Sequence, residues 1–108
     1  MALGVALGAF GAHGLRSRLS PDLLAVYETG VRYHLVHGLA LLVTAWLAGR
    51  DPRGARLAGV LFALGILLFS GSLYLLALTG VRGWGAVTPL GGLAWIAAWG
   101  LLAWRARR

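Results

Sequence analysis

Three histidines are the side chains of this 108-residue sequence whose type and spacing could most readily support chemistry. His34 and His37 are three residues apart and share one face of a helix, whereas His13 comes from an earlier segment. Imidazole nitrogens can ligate a transition metal or haem iron. The spacing permits such a site but does not specify one. Glu28, the one carboxylate close enough in sequence, falls on the opposite helix face.

A second group of polar side chains, Ser70, Ser72 and Tyr74, lies in a long apolar segment and completes a candidate polar cluster with the histidines. His13, His37 and the Ser70–Ser72 segment could line a path for a proton, an ion or a small solute. Alternatively, the imidazoles bond between helices to carbonyls and hydroxyls, at about 0.6 to 2 kcal/mol each. No nucleophile, base and orienting group can be assembled, so the sequence predicts no catalytic residues, metal or cofactor.

These groups would be positioned by apolar helices, of which Leu57 to Thr79 is the clearest. This segment carries no charged residue. At about 1.5 Å per residue it reaches roughly 34 Å, enough to cross a bilayer core of about 30 Å. We therefore predict a central membrane-spanning helix over residues 57–79.

Three further helices are predicted, over approximately residues 2–15, 21–48 and 89–104. Ser20, Pro21 and Asp22 form a helix start with an N-cap, a proline in the first turn and an acidic residue near the positive helix end. Thr88 and Pro89 suggest a similar start. Asp-Pro at residues 51–52 reads as a turn, and Gly80 as a C-terminal cap.

Small residues cluster on particular faces of these helices and predict close helix packing. The first helix has two such faces, one of glycines and an opposite one of Ala2, Ala6, Ala9 and His13. The third helix places Gly59, Ala63, Ser70 and Ala77 on one narrow face at about 100° per residue. The predicted packing residues are Gly4, Gly8, Gly11, Gly59, Ala63 and Gly71.

The composition supports a single membrane domain over residues 1–108. Hydrophobic residues make up 59% of the chain and charged residues only 12%, too few for the surface of a soluble domain. All ten bases are arginines and lie between the apolar runs, which argues against a nucleic-acid-binding face. There is no cysteine, which excludes disulfides and iron–sulfur ligation within this chain.

The arginine distribution predicts an orientation. With four spans both termini share one side, and that side carries six arginines against four on the other, which favours cytoplasmic termini. The first group is Arg50, Arg53, Arg56, Arg105, Arg107 and Arg108, and the second is Arg16, Arg18, Arg32 and Arg82.

Within the second helix, Glu28 and Arg32 are four residues apart, and this spacing predicts an ion pair at the membrane interface. Trp46, Trp84 and Trp104 fall near helix ends, as in an aromatic belt.

Several motifs resemble those of domain of unknown function 423, a family of small four-helix membrane proteins. They are GAFGAHGL at residues 8–15, YHLVHGLALL at 33–42, GILLFSGSLYLLALTG at 65–80 and TPLGG at 88–92. The resemblance is strongest at positions His13, His37, Ser70, Gly71, Ser72, Tyr74, Thr88 and Pro89. It implies four spans in the bacterial inner membrane, and it implies no activity.

The sequence thus predicts an all-α, four-span bundle in the plasma membrane, multi-pass and non-enzymatic. We expect it to act through helix packing within the lipid bilayer, with copies of itself or with a membrane protein partner. A proton, ion or small-solute carrier is the first alternative, and a haem- or metal-binding membrane protein is the second.

Overall fold

The computed structural model describes residues 1–107 and is all-α, as predicted. We number four helices: α1 over Ala2–Leu15, α2 over Pro21–Leu47, α3 over Pro52–Thr79 and α4 over Thr88–Ala106. A 3-10 helix over Arg82–Ala86 occupies most of the predicted loop before α4. The last five residues of α1 (Gly11–Leu15) and the middle of α3 (Ile66–Ser70) are π-helical.

The helix ends follow from local capping chemistry. The Ser20 side chain accepts a hydrogen bond from the Leu23 backbone N–H, which confirms the predicted start of α2. Gly80 ends α3 with φ of 72°, a left-handed conformation that glycine adopts without strain. The predicted start of α3 at residue 57 is wrong. Asp51 caps the helix by accepting from the Gly54 N–H, and Pro52 then occupies the first turn.

The start of α4 also differs from the prediction. The helix begins at Thr88, but its side chain makes no capping hydrogen bond, and Val87 is the N-cap residue. The Thr88 hydroxyl bonds instead to the Ser72 hydroxyl on α3. A contact between helices therefore replaces the expected local cap.

Glycines let α1 lie directly on α2. Gly4 and Gly11 are buried. A Cβ atom at Gly4 would come within 2.9 Å of Leu35, and one at Gly11 within 2.5 Å of Tyr27. Gly8 lies between them, where a Cβ would be 3.1 Å from Val31. The opposite face of α1 has no partner within the described chain, and Ala2, Ala6, Ala9 and His13 are exposed there.

The π turn in α3 changes the face that the small residues occupy. Its characteristic bond runs from the Gly71 N–H to the Ile66 carbonyl, five residues back, so one extra residue enters the turn. This rotates the following segment by about 100° relative to a continuous α-helix. Ser70 and Ala77 are buried as a result, whereas Ala63 is exposed. The predicted single face of Gly59, Ala63, Ser70 and Ala77 is therefore wrong at Ala63.

Two other predicted packing positions on α3 are looser than expected. An added Cβ at Gly59 would be 3.5 Å from the Thr44 hydroxyl, an ordinary contact. One at Gly71 would meet nothing closer than 3.9 Å. Close approach on α3 is found instead at Gly54 and Gly65, where an added Cβ would overlap the Arg105 side chain and the Trp95 indole, respectively.

The core has two parts that share no buried residue. The larger one joins α2, α3 and α4 through Ala40, Ala58, Phe62, Trp95 and Ala98. The smaller one joins α1, α2 and α3 through Leu15, Tyr27 and Ala77. Alanines at the contact points keep the helix axes close together.

Large apolar side chains also cover the outside of the described chain. Ile96 is 70% exposed, Leu67 69% and Trp46 67%. Two helical stretches, Pro52–Thr79 and Arg82–Ala106, are long and apolar enough to cross a membrane by length and composition. Helix α1 is apolar but short, at about 21 Å. An exposed apolar surface of this extent is typical of a protein that contacts lipid.

Candidate functional site

His37 lies at the centre of an aromatic cluster between α2, α3 and α4. Its ring stacks on the Trp95 indole, with centroids 3.7 Å apart and planes 3° from parallel. His37 Nδ1 is 2.8 Å from the Tyr33 carbonyl oxygen, and the Trp99 Nε1–H donates to His37 Nε2 at 3.1 Å. Since the indole is a donor only, Nε2 is the acceptor and Nδ1 carries the proton. Both ring nitrogens of His37 are therefore occupied, and the imidazole is neutral.

Trp95 is 4% exposed and links α4 to α3. Its Nε1–H donates to the Phe62 carbonyl oxygen at 3.1 Å. The absence of a side chain at Gly65 leaves room for the indole against the α3 backbone. Tyr33 stacks on the same indole at 5.8 Å. The Trp95 indole, anchored to α3, thus fixes the orientation of the His37 ring that stacks on it.

His34 belongs to a second polar group, between α2 and α3. Its Nδ1 is 2.9 Å from the Tyr74 hydroxyl oxygen. The Tyr74 ring also contacts Tyr27, with centroids 5.2 Å apart. Tyr27 in turn donates its hydroxyl proton to the Leu7 carbonyl oxygen at 2.6 Å, which extends the group to α1.

The two serines of α3 bond in different directions. Ser70 is fully buried and donates to the Gly30 carbonyl oxygen of α2 at 2.7 Å. The Ser72 hydroxyl is 2.5 Å from the Thr88 hydroxyl of α4 and also donates to the Phe69 carbonyl oxygen at 2.8 Å. Two positions within one turn of α3 are therefore tied to α2 in one direction and to α4 in the other.

The structure does not gather the predicted polar cluster into one cavity. His34, Tyr74 and Ser70 lie together at the α2–α3 interface, while His37 belongs to the aromatic cluster. Ser72 lies at the junction with α4. His13 is exposed on the outer face of α1, and its imidazole has no hydrogen-bond partner within residues 1–107.

Metal or haem ligation would need imidazole nitrogens that can converge on one ion. Within residues 1–107 no group of three or more His, Cys, Asp or Glu side chains is arranged to hold a metal. Ligation by His37 would require it to break its bond to Tyr33 or to Trp99. The chemistry that the arrangement does support is hydrogen bonding between helices in an apolar surrounding.

Sequence reasoning missed the aromatic partners. Trp95 and Trp99 are four residues apart and so share a helix face, a pattern compatible with either lipid or a neighbouring helix. No motif or spacing in the sequence distinguishes Tyr27. The predicted ion pair between Glu28 and Arg32 does not form, and both side chains are exposed. Holding two long exposed side chains together gains little free energy.

Comparison with known proteins shows that residues 7–92 match the family described as protein of unknown function (DUF423). A UPF0382 membrane protein of Bacillus subtilis is 50% identical over 90% of this chain and 80% of its own length. One of Staphylococcus haemolyticus is 47% identical, over 93% and 82%. One of Haemophilus influenzae is 45% identical, over 93% and 81%. No solved structure matches.

Proposed function

This chain belongs to the DUF423 family of proteins of unknown function, in which relatives are named membrane proteins. We propose that it is a non-enzymatic plasma-membrane protein. Its four helices form one membrane domain, cross the bilayer four times and leave both termini in the cytoplasm. It acts through helix packing, with copies of itself or with another membrane protein.

The exposed surface supports the bilayer placement. Leu3 on α1, Leu42 on α2, Leu67 on α3 and Ile96 on α4 are each at least 60% exposed. All four helices therefore present large apolar side chains outward. Such a surface is costly in water and favourable in lipid.

One observation carries the proposal of a packing role. Among the side chains predicted to line a path, His37, Ser70 and Ser72 already bond to a neighbouring helix or to a nearby carbonyl, and His13 lies on the outer face of α1. His34 bonds to Tyr74, His37 to Trp99, Ser70 to the α2 backbone and Ser72 to Thr88. A carrier would need some of these groups to be free to bind its solute and release it.

The outer face of α1 is the surface on which association is expected. Ala2, Ala6, Ala9 and His13 are exposed there, and small residues let a second helix approach closely. The inner face of the same helix shows how such contacts form, because Gly4 and Gly11 lie against α2. A contact at this face adds a partner and leaves the core of the bundle undisturbed.

Site-directed photo-cross-linking tests this proposal, and the natural chain offers a clean background because it has no cysteine. Ala6→Cys and Ala9→Cys variants carry a benzophenone maleimide in native membranes. We expect adducts with a second copy or another protein on irradiation. Ile96→Cys, on the exposed face of α4, is the matched control and remains monomeric.

Two results would argue against the packing role. One is an unmodified monomer at both α1 positions in membranes where the variants fold normally. The other is a flux of protons or small solutes in proteoliposomes that His37→Ala abolishes without unfolding the protein. The second result would favour a carrier.

A further inference from the structure

A cavity of about 590 Å³ opens at the end of the bundle where α2 ends, α3 begins and α4 ends. Its walls combine the apolar side chains of Leu47, Ala55 and Leu102 with the charged groups of Arg50, Asp51 and Arg105. Its size is within the range of small-molecule sites. A cavity lined by both apolar and charged side chains suits a ligand that has a charged head and an apolar body.

Arg105 is held in this cavity with most of its hydrogen-bonding capacity unused. Its Nη1–H donates to Asp51 Oδ2 at 2.6 Å, and the other oxygen of that carboxylate accepts from the Gly54 N–H. The guanidinium makes no other hydrogen bond within residues 1–107, and its Nε is buried without a partner. A guanidinium offers five N–H donors in a fork that matches phosphate oxygens.

Gly54 provides the room for this arrangement. An added Cβ there would overlap the end of the Arg105 side chain. The side chain itself is 26% exposed, so a ligand can reach the guanidinium from the cavity. The carboxylate of Asp51 binds one N–H of the fork, and the exposed part of the guanidinium remains open to an anion in the cavity.

Arg50 also lines the cavity and adds a second positive charge. Its guanidinium carbon lies 4.9 Å from the centre of the Trp46 ring, which restrains the side chain. Two arginines against one carboxylate leave a net positive site. Trp46 and Trp104 are exposed at the same end of α2 and α4, where aromatic side chains mark the level of lipid headgroups.

We propose that this cavity binds the phosphate of an anionic phospholipid headgroup through Arg50 and Arg105. The acyl chains of the lipid lie along the apolar exterior of α2 and α4. The assignment rests on the bilayer placement proposed above, because the same groups in water would meet only free phosphate. Basic pockets between membrane helices commonly hold anionic headgroups.

The experiment measures lipid binding to the purified, detergent-solubilised full chain by native mass spectrometry. Dioleoyl phosphatidylglycerol, dioleoyl phosphatidylcholine and inorganic phosphate are compared at equal concentration. We expect saturable binding of phosphatidylglycerol, and binding at least about tenfold weaker for phosphatidylcholine and inorganic phosphate. Arg50→Gln should weaken phosphatidylglycerol binding about tenfold, since a charge-assisted hydrogen bond is lost.

Arg53→Gln is the matched control, because Arg53 belongs to the same basic end of the bundle but does not line the cavity. It should change the affinity less than about twofold. Arg105→Gln should abolish binding, but it also breaks the ion pair with Asp51, so Arg50→Gln decides the outcome if that variant unfolds. Equal loss in the Arg50 and Arg53 variants, equal binding of inorganic phosphate, or no saturable binding would overturn the proposal. The α1 cross-links do not enter this measurement, so the two proposals can fail separately.

Discussion

Replacing His37 by alanine should destabilise the bundle far more than the same change at His13. The His37 ring accepts a hydrogen bond from Trp99, which contributes about 1 kcal/mol between membrane helices. Its stacking on Trp95 adds about 1 kcal/mol, and the cavity left between the rings costs about 1 kcal/mol more. The expected loss is therefore about 3 kcal/mol, or roughly 100-fold in the unfolding equilibrium constant.

The measurement is equilibrium unfolding in mixed micelles as sodium dodecyl sulfate is increased, followed by far-ultraviolet circular dichroism. His13→Ala is the control, because the His13 imidazole is exposed and has no hydrogen-bond partner within residues 1–107. We expect it to change the stability by no more than about 0.5 kcal/mol. A double-mutant cycle of His37→Ala with Trp99→Phe should give a coupling energy of about 1 kcal/mol. A loss below about 0.5 kcal/mol for His37→Ala, or a coupling energy near zero, would refute the structural role of the imidazole.

Two further predictions use the same unfolding assay. Ser70→Ala removes a buried donor to a backbone carbonyl of α2 and should lower the free energy of unfolding by about 1 kcal/mol. Thr79→Ala, at an exposed hydroxyl, is the control and should lower it by less than about 0.5 kcal/mol. Equal losses of stability in the two variants would contradict a stabilising role of the Ser70 hydrogen bond. Gly65→Ala should cost about 2 kcal/mol because the new methyl group displaces the Trp95 indole. Gly100→Ala has no atom within 4 Å of the new methyl and should be neutral or slightly stabilising, because alanine favours the helix more than glycine does. A comparable loss at Gly100 would contradict the assignment of the Gly65 effect to the Trp95 indole.

Local chemistry explains which parts of the fold were predictable. The start of α2 at Ser20 and the end of α3 at Gly80 depend on residues within one turn, and their side-chain and backbone preferences are visible in sequence. The start of α3 was misplaced because Asp51 and Pro52 suit both a turn and a helix start. Only the hydrogen bond to Gly54 distinguishes the two.

The arrangement of the polar groups depends on features that have no such local signature. The π turn of α3 adds one residue to the helix register, and the composition of Ile66–Ser70 does not predict it. The aromatic cluster requires residues from three helices, so neither Trp95 nor Trp99 could be assigned to His37 before the helices were packed. The distribution of the polar groups over separate interfaces follows from these two facts.

The crossing of the bilayer by all four helices is tested most directly by thiol labelling of single cysteines in oriented membrane vesicles. Four exposed positions are suitable, each within a few residues after the end of one helix in the order α1 to α4: Ser17, Gly49, Gly83 and Arg107. The account predicts that a membrane-impermeant maleimide labels Ser17→Cys and Gly83→Cys from the periplasmic side. It predicts that Gly49→Cys and Arg107→Cys react only from the cytoplasmic side. Labelling of Ser17→Cys and Gly49→Cys from the same side would show that α2 does not cross, and the four-span bundle would be contradicted.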